Sequence, residues 1–151
     1  MRVLGLDLGA RRIGTAVSDI EGSIAFPHGV IERRDTRGDL EAVSSLIREQ
    51  GVERVVVGLP IHMDGRSGPE ARAARAFAKA LATQSGLKVE VLDERWTTVE
   101  AERALRAGYS GRGRSKKREK IRRERVDSLA AALILRTYLE RVASDATRGA
   151  E

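Results

Sequence analysis

Arg2-Val3-Leu4-Gly5-Leu6-Asp7-Leu8-Gly9-Ala10-Arg11-Arg12-Ile13-Gly14-Thr15-Ala16-Val17-Ser18-Asp19 is the stretch that decides the fold. Residues 2–8 form a short apolar run ended by Gly9, which is the pattern of a buried strand. Gly9 to Arg12 reads as a tight connection, and Ile13 to Asp19 alternates as the second strand of a hairpin. Asp7 interrupts the first run. An acid on a buried strand is costly unless its charge is compensated, and a divalent cation is one such compensation.

Working outward, Ser18 to Gly22 turns the chain into a third strand over Ile24 to Glu32, where Pro27 implies an edge position or a bulge. Leu40, Val43 and Ile47 at helical spacing predict a helix stopped near Gly51. Val52 to Leu59 is a strand, because Val55-Val56-Val57 is a β-branched run bounded by Gly58 and Pro60. After a glycine-rich loop over Ile61 to Pro69, the alanine-rich segment Glu70 to Ser85 is helical, with Gly86 as its C-cap. Leu87 to Leu92 makes a fifth strand. Thr97 or Thr98 then caps a helix through Leu105, Ser110 to Arg114 is loop, and Arg122 to Val142 is a long last helix with Asp127 near its start. Three hairpin-joined strands followed by strands alternating with helices predict an α/β fold, a five-stranded mixed sheet with helices on both faces. In that arrangement the first, fourth and fifth strands lie parallel and side by side, and their C-terminal ends share one edge. The expected organisation is one domain over residues 1–143 and a frayed tail over 144–151.

With 41% hydrophobic and 33% charged residues, the composition is that of a water-soluble globular protein. No run approaches the roughly 20 apolar residues of a membrane span, and the N-terminus has no signal-peptide core. The absence of cysteine excludes disulfides and thiolate metal sites and fits a cytoplasmic location. Two histidines, His28 and His62, make a poor zinc set. The net charge of +6 is concentrated: Ser110 to Arg125 holds nine basic residues against Glu119 and Glu124, so this stretch carries +7 and the remainder −1. Charge gathered in one segment predicts a polyanionic partner, most simply nucleic acid, whereas a merely solvated helix face would not need the glycines that break its first half.

Three acids then stand where a metal site would need them: Asp7 on the first strand, Glu94 after the fifth, and Asp127 on the last helix packed over the sheet. Two-metal phosphodiester hydrolysis needs carboxylates close enough to hold ions about 3.5–4 Å apart, and the metal activates water directly. Asp93 is set aside, since adjacent strand residues face opposite ways. Arg11 and Arg12, between Gly9 and Gly14, either clamp a phosphate or only shape the hairpin. Arg95 and Thr97 either touch substrate or serve as surface charge and helix cap. Arg112, Arg114, Lys116, Lys117 and Arg118 are the expected nucleic-acid contacts of the basic stretch. The cation expected is Mg²⁺ or Mn²⁺.

Four ordered blocks resemble the YqgF/RuvX family of RNase H-like nucleases: Gly5-Leu6-Asp7-Leu8-Gly9 with Arg12-Ile13-Gly14 and Ala16-Val17-Ser18-Asp19; Val57-Gly58-Leu59-Pro60 with Asp64-Gly65; Asp93-Glu94-Arg95 with Thr97-Thr98; and Val126-Asp127-Ser128-Leu129-Ala130-Ala131. The resemblance runs to about Val142. It implies an RNase H-like fold and a metal-dependent nuclease whose acidic site falls on Asp7, Glu94 and Asp127. Members are described as Holliday junction resolvases and also as nucleases maturing the 5′ end of pre-16S ribosomal RNA. The expected function is the latter, on structured RNA, by a monomer or homodimer; resolution of branched DNA is the alternative. Compared with RuvC resolvases, the last helix offers one acid instead of two, and no acid stands near Gly58-Leu59-Pro60, where those resolvases place one on the fourth strand. Two readings of other classes exist: Leu4 to Val17 also resembles the first phosphate loop of actin-like ATPases, and the basic stretch alone would serve a non-catalytic RNA-binding or transcription-associated factor.

Overall fold

The first two strands, β1 (Val3–Leu8) and β2 (Arg12–Ser18), pair antiparallel with Leu8 opposite Ile13 and Asp7 opposite Gly14. The computed structural model describes residues 1–59, 68–93 and 116–149. The hairpin closes through the Gly9 amide, which donates to the Arg12 carbonyl at 2.9 Å. A third strand, β3 (Ala25–Glu32), adds antiparallel to β2. It is the outermost strand on that side, and its register slips opposite Thr15 and Ala16, where Gly29 and Pro27 are the partners. Proline thus sits both at an edge and beside a bulge, the two places where its missing N–H costs the sheet nothing.

The chain then alternates: α1 (Thr36–Gln50), β4 (Arg54–Leu59), α2 (Pro69–Ser85) and β5 (Lys88–Asp93). Gly51 and Gly86 end the two helices in the left-handed conformation, at φ 64° and 71°, as their positions in the sequence predict. The sheet order is β3-β2-β1-β4-β5, with β4 parallel to β1 and β5 parallel to β4. The three parallel strands lie together as expected, so the ends carrying Asp7, Leu59 and Asp93 share an edge.

Strand alternation divides the core in two. Leu4, Leu6, Ile13, Val55 and Val57 face α1 and α2, meeting Val43, Ile47, Phe77 and Leu81. Val3, Ala16, Val56 and Leu92 face the other way, onto Ala131, Ile134, Leu135 and Tyr138 of a single long helix, α3 (Lys116–Gly149). That second face is sealed at its far end by a polar chain. Arg54 donates to the Tyr138 hydroxyl at 3.1 Å, and Glu90 pairs with Lys88 at 2.8 Å. The Lys88 ammonium holds the Glu90 carboxyl below its ordinary range, while burial, reinforced by the bond to Glu90, pushes the Tyr138 phenol up.

Helix α3 differs from expectation at both ends. It begins at Lys116 instead of Arg122 and continues to Gly149, through the segment expected to fray. Asp127 is therefore about three turns inside the helix and not near its start. The reason is that Lys116 to Arg125 are mostly solvent-exposed, so no apolar periodicity marks them, yet lysine, arginine and glutamate are good helix formers. Glu119 and Arg123, one turn apart, add an ion pair at 3.3 Å. The helix expected over 97–105 lies outside the described residues.

Candidate active site

On β1, Val3, Gly5 and Asp7 share the face that α3 covers, and Asp7 is 3% exposed. Its cross-strand partner Gly14 is the seat of the helix. A β-carbon built on Gly14 would lie 2.1 Å from the Asp127 carbonyl oxygen and 3.4 Å from its Cα. The Asp127 backbone thus rests on the glycine directly opposite Asp7. Gly5 does the same one turn and more along, where a β-carbon would meet Leu135 Cβ at 2.8 Å and the Ala131 carbonyl at 3.0 Å. These two glycines, with Ala130, Ala131 and Ala132 on the helix, let α3 lie close against the sheet and bring two acids distant in sequence to one spot.

The Asp127 carboxylate is not solvated freely. Arg12 Nε, from the start of β2, lies 2.9 Å from its Oδ2, with the two side chains 18% and 24% exposed. The sequence offered Arg12 as a phosphate contact and Gly14 as part of a phosphate loop or hairpin. The structure gives Gly14 a third use, as the floor under Asp127, and shows Arg12 engaged with the acid itself. Arg11 in the turn is exposed, as are Lys116, Lys117 and Arg118 on the first turn of α3. Asp93 stands opposite Leu59 in the β4–β5 register, on the α1/α2 side of the sheet and away from Asp7. Glu94, Arg95, Thr97, Arg112 and Arg114 lie outside the described residues. Among the described residues no three carboxylates or imidazoles form a metal-binding group.

Sequence reasoning missed what holds the Gly9–Arg12 turn. Arg33, just after β3, donates through Nη1 to the Gly9 carbonyl at 2.8 Å and through Nε to Asp39 Oδ2 at 3.1 Å. Asp39 is 2% exposed and also accepts from the Arg34 amide at 2.9 Å. The signal was present: Asp39 is an acid one turn before Val43, on the core-facing stripe of α1, where a charge must have a dedicated partner.

Residues 1–141 match the RuvX family, described as Holliday junction resolvase. A Moorella thermoacetica protein named "Putative pre-16S rRNA nuclease" is 45% identical over 142 residues, covering 94% of this chain and 96% of that protein. A relative of the same name from Anaeromyxobacter sp. (strain Fw109-5) is 46% identical over 141 residues, covering 93% and 97%. Among solved structures, Thermus thermophilus RuvC in complex with Holliday junction substrate aligns with a TM-score of 0.56 at 19% identity, over 95% of this chain and 96% of that one. The fowlpox virus Holliday junction resolvase aligns at 0.54 and 14% identity, over 94% and 99%. The sheet order, the helices on both faces and these likenesses identify an RNase H-like fold, and the chain belongs to the RuvX family.

Proposed function

We propose that this chain is a divalent-metal-dependent, cytoplasmic nuclease that matures the 5′ end of pre-16S ribosomal RNA. The observation that carries the reading is the placement of Asp7 and Asp127 on either side of Gly14, at the edge where the parallel strands end. Two hard carboxylates, one of them almost wholly buried, suit Mg²⁺ or Mn²⁺. Asp7 and Asp127 would hold the ion, with Glu94, the residue after β5, completing the donor set. Bound there, the ion would activate water and stabilise the charge that develops on the leaving oxygen.

The chain's own residues do the rest. Arg11 meets the sugar–phosphate backbone beside the acids, and Arg12 lies within reach of the same strand. Helix α3 extends for ten residues ahead of Val126, about 15 Å of basic helix at the α-helical rise. Lys116, Lys117 and Arg118 at its tip provide contacts to phosphates outside the scissile one, with Arg112 and Arg114 preceding them in sequence. Phosphate contacts fix position without reading sequence. Replacing Lys116, Lys117 and Arg118 together with glutamine is expected to weaken binding to all RNAs alike. The log–log salt dependence should flatten by about 2 to 3, at roughly 0.7 to 0.9 per lost phosphate contact. Binding titrations at several salt concentrations measure it; an unchanged slope assigns these charges to solvation only.

Structured RNA is the favoured substrate because aromatic residues make up only 3% of the chain, leaving little to pry open and stack against junction arms. The active unit is then a monomer, or a dimer whose sites act independently. The experiment compares cleavage of a pre-rRNA leader fragment and a mobile four-way junction, at equal ionic strength, with Mg²⁺, Mn²⁺ or chelator. RNA products that need the metal are expected. Paired symmetric nicks in the junction, forming faster than any RNA product, would transfer the assignment to junction resolution, the activity for which the family is described.

A further inference from the structure

We propose that Arg12 is a positioning residue that competes with the divalent ion for Asp127 and, once displaced, turns to the substrate phosphate, so that metal loading and nucleic-acid binding reinforce each other. The inference rests on the metal-dependent reading above. Arg12, Gly14 and Ala16 alternate onto the α3 face of β2, which puts the guanidinium on the same side of the sheet as Asp7 and Asp127. Its Nε lies 2.9 Å from Asp127 Oδ2, and both side chains are about four-fifths buried. A pair at that depth adds little net stability, because desolvation offsets the attraction. Removing one partner, however, strands the other charge. Arg12 is thus suited to hold Asp127 in place until another cation takes over.

A divalent ion drawing on Asp127 Oδ2 would compete with Arg12 for that oxygen, and its charge repels the guanidinium wherever on the carboxylate it binds. The backbone of Arg12 is pinned, since its carbonyl accepts from the Gly9 amide and the turn is clipped by Arg33. The response must therefore come from the side chain. A released guanidinium has a planar fork that matches two phosphate oxygens, which a lysine in its place would not. Glu32, opposite Arg12 in the β2–β3 register, offers a second acceptor while no phosphate is present. Because the ion frees Arg12 for phosphate, each ligand raises the affinity for the other by the same factor.

The test titrates Mn²⁺ into metal-free full-length protein by calorimetry and by the electron paramagnetic resonance signal of the free ion. Arg12→Gln is expected to bind Mn²⁺ about three- to fivefold tighter than wild type, the scale of a partly exposed ion pair, whereas Asp127→Asn binds it at least about tenfold more weakly. Without metal Arg12→Gln should melt below wild type, and the gap should close at saturating Mn²⁺, which replaces the lost cation. With RNA, the gain in affinity on adding Mn²⁺ should be smaller in Arg12→Gln than in wild type. If Arg12→Gln does not fold, Arg12→Met keeps the aliphatic volume and is expected to tighten Mn²⁺ likewise. Asp127-dependent Mn²⁺ binding in wild type without tightening in these variants overturns the role of Arg12 alone. No Asp127-dependent binding in wild type overturns the metal site and this inference together.

Discussion

Gly14→Ala is expected to destabilise the fold more than other glycine-to-alanine changes in the sheet, and to abolish cleavage with it. The new methyl would lie 2.1 Å from the Asp127 carbonyl oxygen and 2.6 Å from its carbonyl carbon. Both are backbone atoms of a long helix, so no side-chain rotation can relieve the clash, and α3 must retreat by about 1.3 Å to reach ordinary contact at 3.4 Å. Overpacking of this kind costs about 1–3 kcal/mol in a core that can adjust, and a helix backbone adjusts poorly. At the upper end the melting temperature falls by about 6–12 °C for a domain of this size. Retreat of the helix also moves Asp127 away from Asp7, so activity is lost even in the folded fraction. Gly5→Ala, whose methyl meets Leu135 Cβ at 2.8 Å, should cost less. Gly29→Ala, with nothing within 4 Å, should stay within about 0.5 kcal/mol of wild type. Thermal unfolding of the three variants gives the ranking; a Gly14→Ala protein that melts like wild type would show that the helix does not rest where it is described.

Asp7→Asn is expected to lower cleavage by about a thousandfold or more and to leave the fold intact. The change keeps the size of the side chain and removes its charge and one of its strongest metal-binding oxygens. Lewis-acid stabilisation by a bound ion is worth several kcal/mol, and about 4 kcal/mol corresponds to a thousandfold in rate. The loss should appear in kcat at saturating metal, because a weakened site cannot be restored by concentration alone if the ion is misplaced. Asp93→Asn supplies the contrast. That acid lies at the same edge but on the opposite face, so its replacement should leave the rate within a few-fold of wild type. Equal losses in both variants would mean that acidity at the edge, and not the face that α3 covers, decides the chemistry.

The sequence by itself determined the five strands and the grouping of the first, fourth and fifth as parallel neighbours whose ends share an edge. Val55-Val56-Val57, the hairpin around Gly9 and the proline in β3 are local patterns, and local sterics and burial suffice to read them. Strand alternation predicts that Asp93 and its neighbour Glu94 face opposite ways. That Asp93 turns away from Asp7 follows only from the register across β1, β4 and β5. What only the tertiary structure decided are the relations between segments far apart in the chain. Lys116 to Arg125 forms helix without an apolar stripe, so periodicity could not place the start of α3. Gly14 carries no signal that distinguishes a phosphate loop from a helix seat, because a missing side chain looks the same in both. Arg12 and Asp127, separated by 115 positions, are paired through the close approach of α3 that the glycines permit. A charge declares in sequence that it needs a partner; which partner it gets is fixed by packing.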